Sequence, residues 1–312
     1  MNAARLTERL NLLGPWLRRR FGGRVVKLPL DTGLSCPNRD GTLGKGGCAF
    51  CPPSGSGTGL GAMPLERQIR EGLTRLADKA AKRGQAAPLA LAYYQAFSST
   101  HVEARRLDEL LAPALAAPVC GVIVSTRPDC LDGPRWEVLA RAAEQKPLWL
   151  ELGLQSAHDA TLAALARGHD FACFADAVQQ AKQLGLKVAA HVILGLPGET
   201  PQHMADTAQA LAGLDIWGVK LHQLMVLEGA RLADDYAAGR FQPWSQGEWA
   251  RAAADFLGRL PRHTLIHRLA ADPGRDRLIA PAWVADKQAA LEALASELER
   301  RDLRQGDLCR KS

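Results

Sequence analysis

The sequence predicts an α/β fold built on a parallel sheet, and three observations predict it. Short apolar runs alternate six times with amphipathic helical segments between Val25 and Val226. Each run ends in polar or glycine-rich residues, the pattern expected when strand ends carry a site. The 312 residues suffice for one large domain with an appendage, or for one α/β barrel. A partial barrel and a doubly wound open sheet give the same alternation, so periodicity leaves both open.

Residues 1–23 read as an amphipathic N-terminal helix, without the apolar segment of a secretory leader. The strand candidates of a core spanning 24–230 are Val25–Leu30, Leu89–Gln95, Val119–Ser125, Leu148–Leu154, Lys187–Leu194 and Gly218–Val226. Helix starts lie between them: Thr100 with Glu103 as a capping box, Asp132 before Pro134, and Thr200 before Pro201. Beyond residue 230 the rhythm changes. Ser245 with Glu248 caps another helix, His263–Leu269 reads as a late strand, and a loop rich in Asp, Pro, Gly and Arg runs from Ala270 to Pro281. Val284–Arg304 then carries Leu291, Leu294, Leu298 and Leu303 along one side. Residues 231–312 are therefore expected to be a small C-terminal extension that acts as a cap or substrate module.

Hydrophobic residues make up 47% of the chain and charged ones 23%, with no apolar run of membrane-spanning length. A soluble cytoplasmic protein with no membrane partner is expected. Seven cysteines without a leader fit a reducing compartment, where thiols hold metals or fill cores. The net charge of +6 admits an anionic partner such as nucleic acid without requiring one.

The densest chemistry is CPNRDGTLGKGGCAFC, directly after the first strand. Cys48 and Cys51 stand two residues apart, and eleven flexible residues let Cys36 reach back to them. Three thiolates without a nearby fourth ligand describe an iron-sulfur cluster with one iron left open. A structural zinc site would need a fourth ligand, and His101 and Cys120 lie far off in sequence. A disulfide needs an oxidising compartment. A phosphate loop would need Ser or Thr after Lys45, where Gly46 stands.

Cys36, Cys48, Ala49-Phe50 and Cys51, together with the β/α rhythm, resemble the radical S-adenosylmethionine superfamily. Phe50 occupies the aromatic position before the last cysteine. The longer first gap resembles the branch that contains the catalytic subunit of Elongator. The segments CPNRDGT, STRPDC, GLQS, RGHDFAC and HVILGLPGET narrow the resemblance to YhcC-like proteins. It implies a partial (β/α)6 barrel of the TIM type. It also implies a [4Fe-4S] cluster on Cys36, Cys48 and Cys51, with S-adenosyl-L-methionine chelating the open iron. One electron, delivered by a reductant such as flavodoxin or ferredoxin, would then yield a 5'-deoxyadenosyl radical, with tRNA as the best substrate expectation.

Other residues carry weaker signals. Gln95 stands where relatives have a Gly-Gly-Glu-like motif for the methionine amino group, and its carbonyl can accept the same bond. Glu151 and Gln155 match positions that face ribose or methionine, and a carboxylate in an apolar strand needs a partner. Arg127 can grip a carboxylate of cofactor or substrate, or simply pair with Asp129. Val192, Gly195 and Leu196 resemble the superfamily's adenine-binding turn, or form an ordinary tight turn. His191 and His222 are hydrogen-bonded core histidines or cavity groups, and Cys130 is a buried thiol or a hydrogen-atom donor. The readings from other classes are a non-catalytic iron-sulfur or zinc module that binds nucleic acid, and a radical enzyme acting on a small metabolite.

Overall fold

Seven strands form one parallel sheet in the computed structural model, which describes residues 2–55, 57–274 and 276–309. Met1 of the expected N-terminal helix, Arg275 of the expected loop and residues 310–312 of the expected extension lie outside the described residues.

The chain opens with α1 (Asn2–Arg9), α2 (Leu13–Phe21) and β1 (Val25–Leu30). There follow α3 (Leu65–Ala81), β2 (Leu89–Tyr94), α4 (Ala104–Ala116), β3 (Gly121–Thr126), α5 (Gly133–Gln145) and β4 (Leu148–Gln155). Two helices, α6 (Asp159–Ala164) and α7 (Phe171–Gln183), lead to β5 (Lys187–Leu194), α8 (Pro201–Gly213) and β6 (Gly218–Gln223). The rest comprises β7 (Val226–Leu227), α9 (Arg231–Ala237), α10 (Gln246–Arg259), β8 (Leu265–Arg268), β9 (Leu278–Ala280) and α11 (Lys287–Arg300).

The order β1-β2-β3-β4-β5-β6-β8 is sequential and parallel throughout, while β7 and β9 make a separate antiparallel pair. No strand order reverses, which removes the doubly wound alternative. The sheet is curled: Lys27 on β1 and Lys220 on β6 both bond to Glu151 on β4. The fold is thus a partial barrel, with β8 as a seventh strand alongside the expected six units.

Two local expectations are corrected. The N-terminal helix is broken after Arg9, because Pro15 has no N–H to donate and its ring blocks the carbonyl four residues back. Thr100 and Glu103 do not form a capping box: α4 starts after Glu103 without a side-chain cap. Thr100 instead lies buried, its hydroxyl bonded to Thr126 and to the Cys130 carbonyl. Buried hydroxyls need partners, and these outcompete the cap. The other starts hold: Asp132 accepts from the Arg135 amide, Ser245 and Glu248 cap each other, and Thr200 does so with His203.

The main core lies between the sheet and its helices, built from Val122, Val124, Leu150, Leu152, Val188 and their neighbours. A second cluster of Leu13, Leu17, Leu91, Ile123, Trp149 and Leu265 plugs the lower end of the barrel, with Trp16 and Trp217 against it. The period of two along each strand then places Tyr93, Ser125, Glu151 and Lys220 above this plug, facing the interior. Among the described residues no helix is long and apolar enough to cross a membrane.

Candidate functional site

Above the plug, at the carboxyl ends of the strands, opens a cavity of about 610 Å³. Cys36, Cys48, Cys51 and Phe50 line one side of it, and Gln95, Arg127, Glu151 and Gln155 line it as well. Seven residues separated by up to 119 positions in sequence therefore meet Cys36 in one space.

The cysteine loop is built by its own backbone. The Cys36 carbonyl accepts from the Arg39 amide, the Asn38 carbonyl from Gly47, and the Cys48 carbonyl from Cys51, at 2.7–2.9 Å. Gln68 of α3 anchors the neighbouring segment by bonding Asp31 through both backbone groups and the carbonyls of Leu60 and Met63. At Gly55 the backbone runs against Phe97: a Cβ there would fall 2.1 Å from its ring, and the φ of +57° favours glycine too.

Cys48 is buried, and its Sγ accepts from Asn38 Nδ2 and Arg167 Nη1, each at 3.2 Å. Burial pushes this thiol up, but the charge and hydrogen bond of Arg167, with Arg127 and Asn38, outweigh it and hold Cys48 below its ordinary value. A thiolate is the ligand form that iron requires. Burial pushes the Cys36 and Cys51 thiols up. Among the described residues no three His, Cys, Asp or Glu groups stand close enough to share one metal ion.

Arg127 grips Asp129 with two bonds, Nε at 2.9 Å and Nη2 at 2.6 Å, and Nη2 also reaches the Arg167 carbonyl. Its Nη1 is buried without a partner, as is Gln155 Oε1. Arg39 Nε and Arg167 Nε, on two further lining residues, are buried without partners as well, so three donors and one acceptor remain unsatisfied around the cavity, as a ligand bearing both carboxylate and hydroxyl or amino groups would require. Gln155 also carries a φ of +78°, a strained conformation of the kind stored at functional sites.

Glu151 has protein partners of its own. It lies at the centre of a buried cluster, with Lys27 on Oε1, Lys220 Nζ at 2.6 Å and Tyr93 Oη at 2.7 Å on Oε2, and His267 Nδ1 at 3.4 Å. Burial would raise its carboxyl, but Lys220, Lys27 and His267 hold it well below the carboxylate range. Val192, Gly195 and Leu196 are not among the residues lining the cavity. Val192 is fully buried in the main core, Leu196 packs with Ala49, Leu165 and Ile193, and Gly195 turns beneath Trp244. His191 and His222 both line the cavity, with ring centroids 5.6 Å apart. Cys130 is buried off the cavity, where burial pushes its thiol up to about 12.

The sequence reading gave no role to Asn38, Arg167, Lys27, Lys220 or Arg268. For Arg167 a signal existed, since it opens the RGHDFAC segment. For the lysines and Arg268 the signal was a cation at an inward position of an apolar strand.

Comparison with known proteins agrees with the geometry. A model of the radical SAM superfamily matches residues 43–211, and one of the radical SAM C-terminal domain matches 216–300. Protein YhcC of Escherichia coli is 36% identical over 291 residues, 93% of this chain and 92% of its own length. The tRNA uridine(34) acetyltransferase of Dehalococcoides mccartyi is 28% identical over 155 residues, 49% of this chain and 33% of that protein. Among solved structures, Elp3 of Methanocaldococcus infernus superposes with a TM-score of 0.65 at 18% identity, over 90% of this chain and 63% of that one. This last likeness concerns the fold.

Proposed function

Because this chain belongs to the radical S-adenosylmethionine superfamily, and is an enzyme of that class, we propose that Cys36, Cys48 and Cys51 hold a [4Fe-4S] cluster with S-adenosylmethionine beside it. The observation that carries this reading is the convergence of three thiols on one cavity, with Arg167 and Asn38 donating to Cys48 Sγ and favouring its ionised form. When bound and reduced by an external one-electron donor, the pair supplies a 5'-deoxyadenosyl radical that takes hydrogen from a substrate.

The chain's own residues bind, orient and exclude water. Arg127 Nη1 donates to a cofactor carboxylate, and Gln155 Oε1 and Gln95 accept from its amino or hydroxyl groups. Phe50 supplies an apolar wall. Val192, Gly195 and Leu196 lie behind the cavity wall and would support a bound adenine only indirectly. The plug of Trp149, Trp217 and Trp16 closes the lower end, so that a reactive intermediate meets substrate and not solvent.

For the substrate, the partial likeness to a tRNA uridine(34) acetyltransferase and the net charge of +6 favour action on tRNA. Two experiments test these proposals. Anaerobic reconstitution with iron and sulfide is expected to give a reducible four-iron spectrum and release of 5'-deoxyadenosine, whereas tight zinc and no cleavage would refute the first. Comparison of tRNA nucleosides from cells with and without the gene is expected to reveal a missing modification, and identical profiles would refute the second.

A further inference from the structure

We infer that the floor of this cavity is a binding site for an oxyanion, a carboxylate or phosphate carried by the molecule that enters the barrel. That this molecule is the radical's substrate rests on the function proposed above; the charge argument stands without it.

Lys220 and Arg268 bring two cations to the cavity from β6 and β8, and Lys27 of β1, which is not among the lining residues, shares the carboxylate of Glu151 with Lys220. Around Glu151 itself three cations share one carboxylate, while Asp272 and Asp276 line the cavity further out. Arg268 is the member that Glu151 and Asp272 reach only from a distance. Its Nε donates to the Leu221 carbonyl at 3.1 Å and an Nη faces His191 Nε2 at 3.2 Å, yet among the described residues it forms no ion pair. Asp272, the acidic residue beside it on the rim, is engaged by Lys287 at 2.8 Å. Asp276 also lines the cavity.

The imbalance leaves an electrostatic trace. A buried lysine with a carboxylate to itself would keep its proton. Here burial, then Arg268 and Lys27, press Lys220 down to about 7 despite Glu151. Burial also lowers Arg268. Burial and the surrounding cations keep His191 and His222 uncharged, so that they serve as hydrogen-bonding walls without adding to the charge. An uncompensated buried cation is expensive unless an anion joins it. A neutral nucleobase would leave Arg268 unpaired. An oxyanion would accept from Arg268 and Lys220 in one geometry, as guanidinium groups favour.

The test titrates the reconstituted enzyme, before S-adenosylmethionine is added, with inorganic phosphate and separately with acetate, reading binding by calorimetry. Saturable binding of at least one is expected, and Arg268→Gln should weaken it about tenfold or more, the loss of a charge-assisted bond. If that variant fails to fold by circular dichroism, Arg268→Lys replaces it, and a smaller but measurable loss is expected. Phosphate alone would assign a phosphoryl group, and acetate alone a carboxylate. Binding of neither ion, or affinities unchanged in the folded variants, would overturn the proposal. The same titration of the Cys48→Ser chain separates the two readings. Anion binding without cluster assembly in any preparation would sink the radical-enzyme reading alone, and a cluster without anion binding would sink the oxyanion site alone.

Discussion

Replacing Glu151 by glutamine isolates the charge that holds the barrel interior together. The substitution keeps shape and an acceptor for Tyr93, but leaves Lys220 and Lys27 without their counter-ion. Removing one partner of a buried ion pair costs about 3–5 kcal/mol. Two features place the cost near the lower end: Lys27 is 27% exposed, and Lys220, already pushed down to about 7, can shed its proton. Unfolding entropy of about 2.1 cal/mol/K per residue over 312 residues gives about 0.65 kcal/mol/K, so 3 kcal/mol lowers Tm by about 5 °C. The sign of the pH dependence follows from linkage. The folded value of Lys220 lies below its unfolded value of 10.5, so between about 7 and 10.5 the unfolded chain binds more protons and stability rises with pH. Without Glu151 the window extends lower, so the loss in Tm should be larger at about pH 6 than at about pH 9. Thermal melts of the cofactor-free chain, followed by circular dichroism at both pH values, measure this. A drop below about 1 °C, or one that grows with pH, would refute a structural ion cluster at Glu151.

The remaining predictions concern the site. Arg167→Leu removes a donor and a charge from Cys48 Sγ and should cost about 10–100-fold in cluster affinity, measured as iron retained against a chelator. Gln155→Gly relieves the φ of +78° and should stabilise the cofactor-free chain by about 1 kcal/mol, while weakening S-adenosylmethionine binding in calorimetry. Sulfate, whose charge is constant near neutrality, should bind the cavity less tightly as the pH rises through about 7. There Lys220 loses its proton while Arg268 and Glu151 keep their charges and Tyr93, His191, His222 and His267 stay neutral. In Lys220→Met that dependence should vanish, and its persistence would assign it to another group.

Much of this protein was legible in its sequence, because the signals were local. Val25–Leu30 and Lys187–Leu194 are strands with the expected bounds, since short apolar runs rich in β-branched residues favour extended backbone. The spacing of Cys36, Cys48 and Cys51 put three thiols on one loop, and that loop lines one side of the cavity. What tertiary structure decided is where long-range partners meet. Thr100 looked like a cap until Thr126 and the Cys130 carbonyl claimed its hydroxyl. Glu151 looked like a residue waiting for a ligand, and curling of the sheet instead brought it Lys27 and Lys220, 124 and 69 positions away. Arg268 came to the cavity with no carboxylate of its own. Sequence fixes the spacing along each strand, but the curl of the sheet chooses which inward side chains share a cavity, and therefore which charges are balanced.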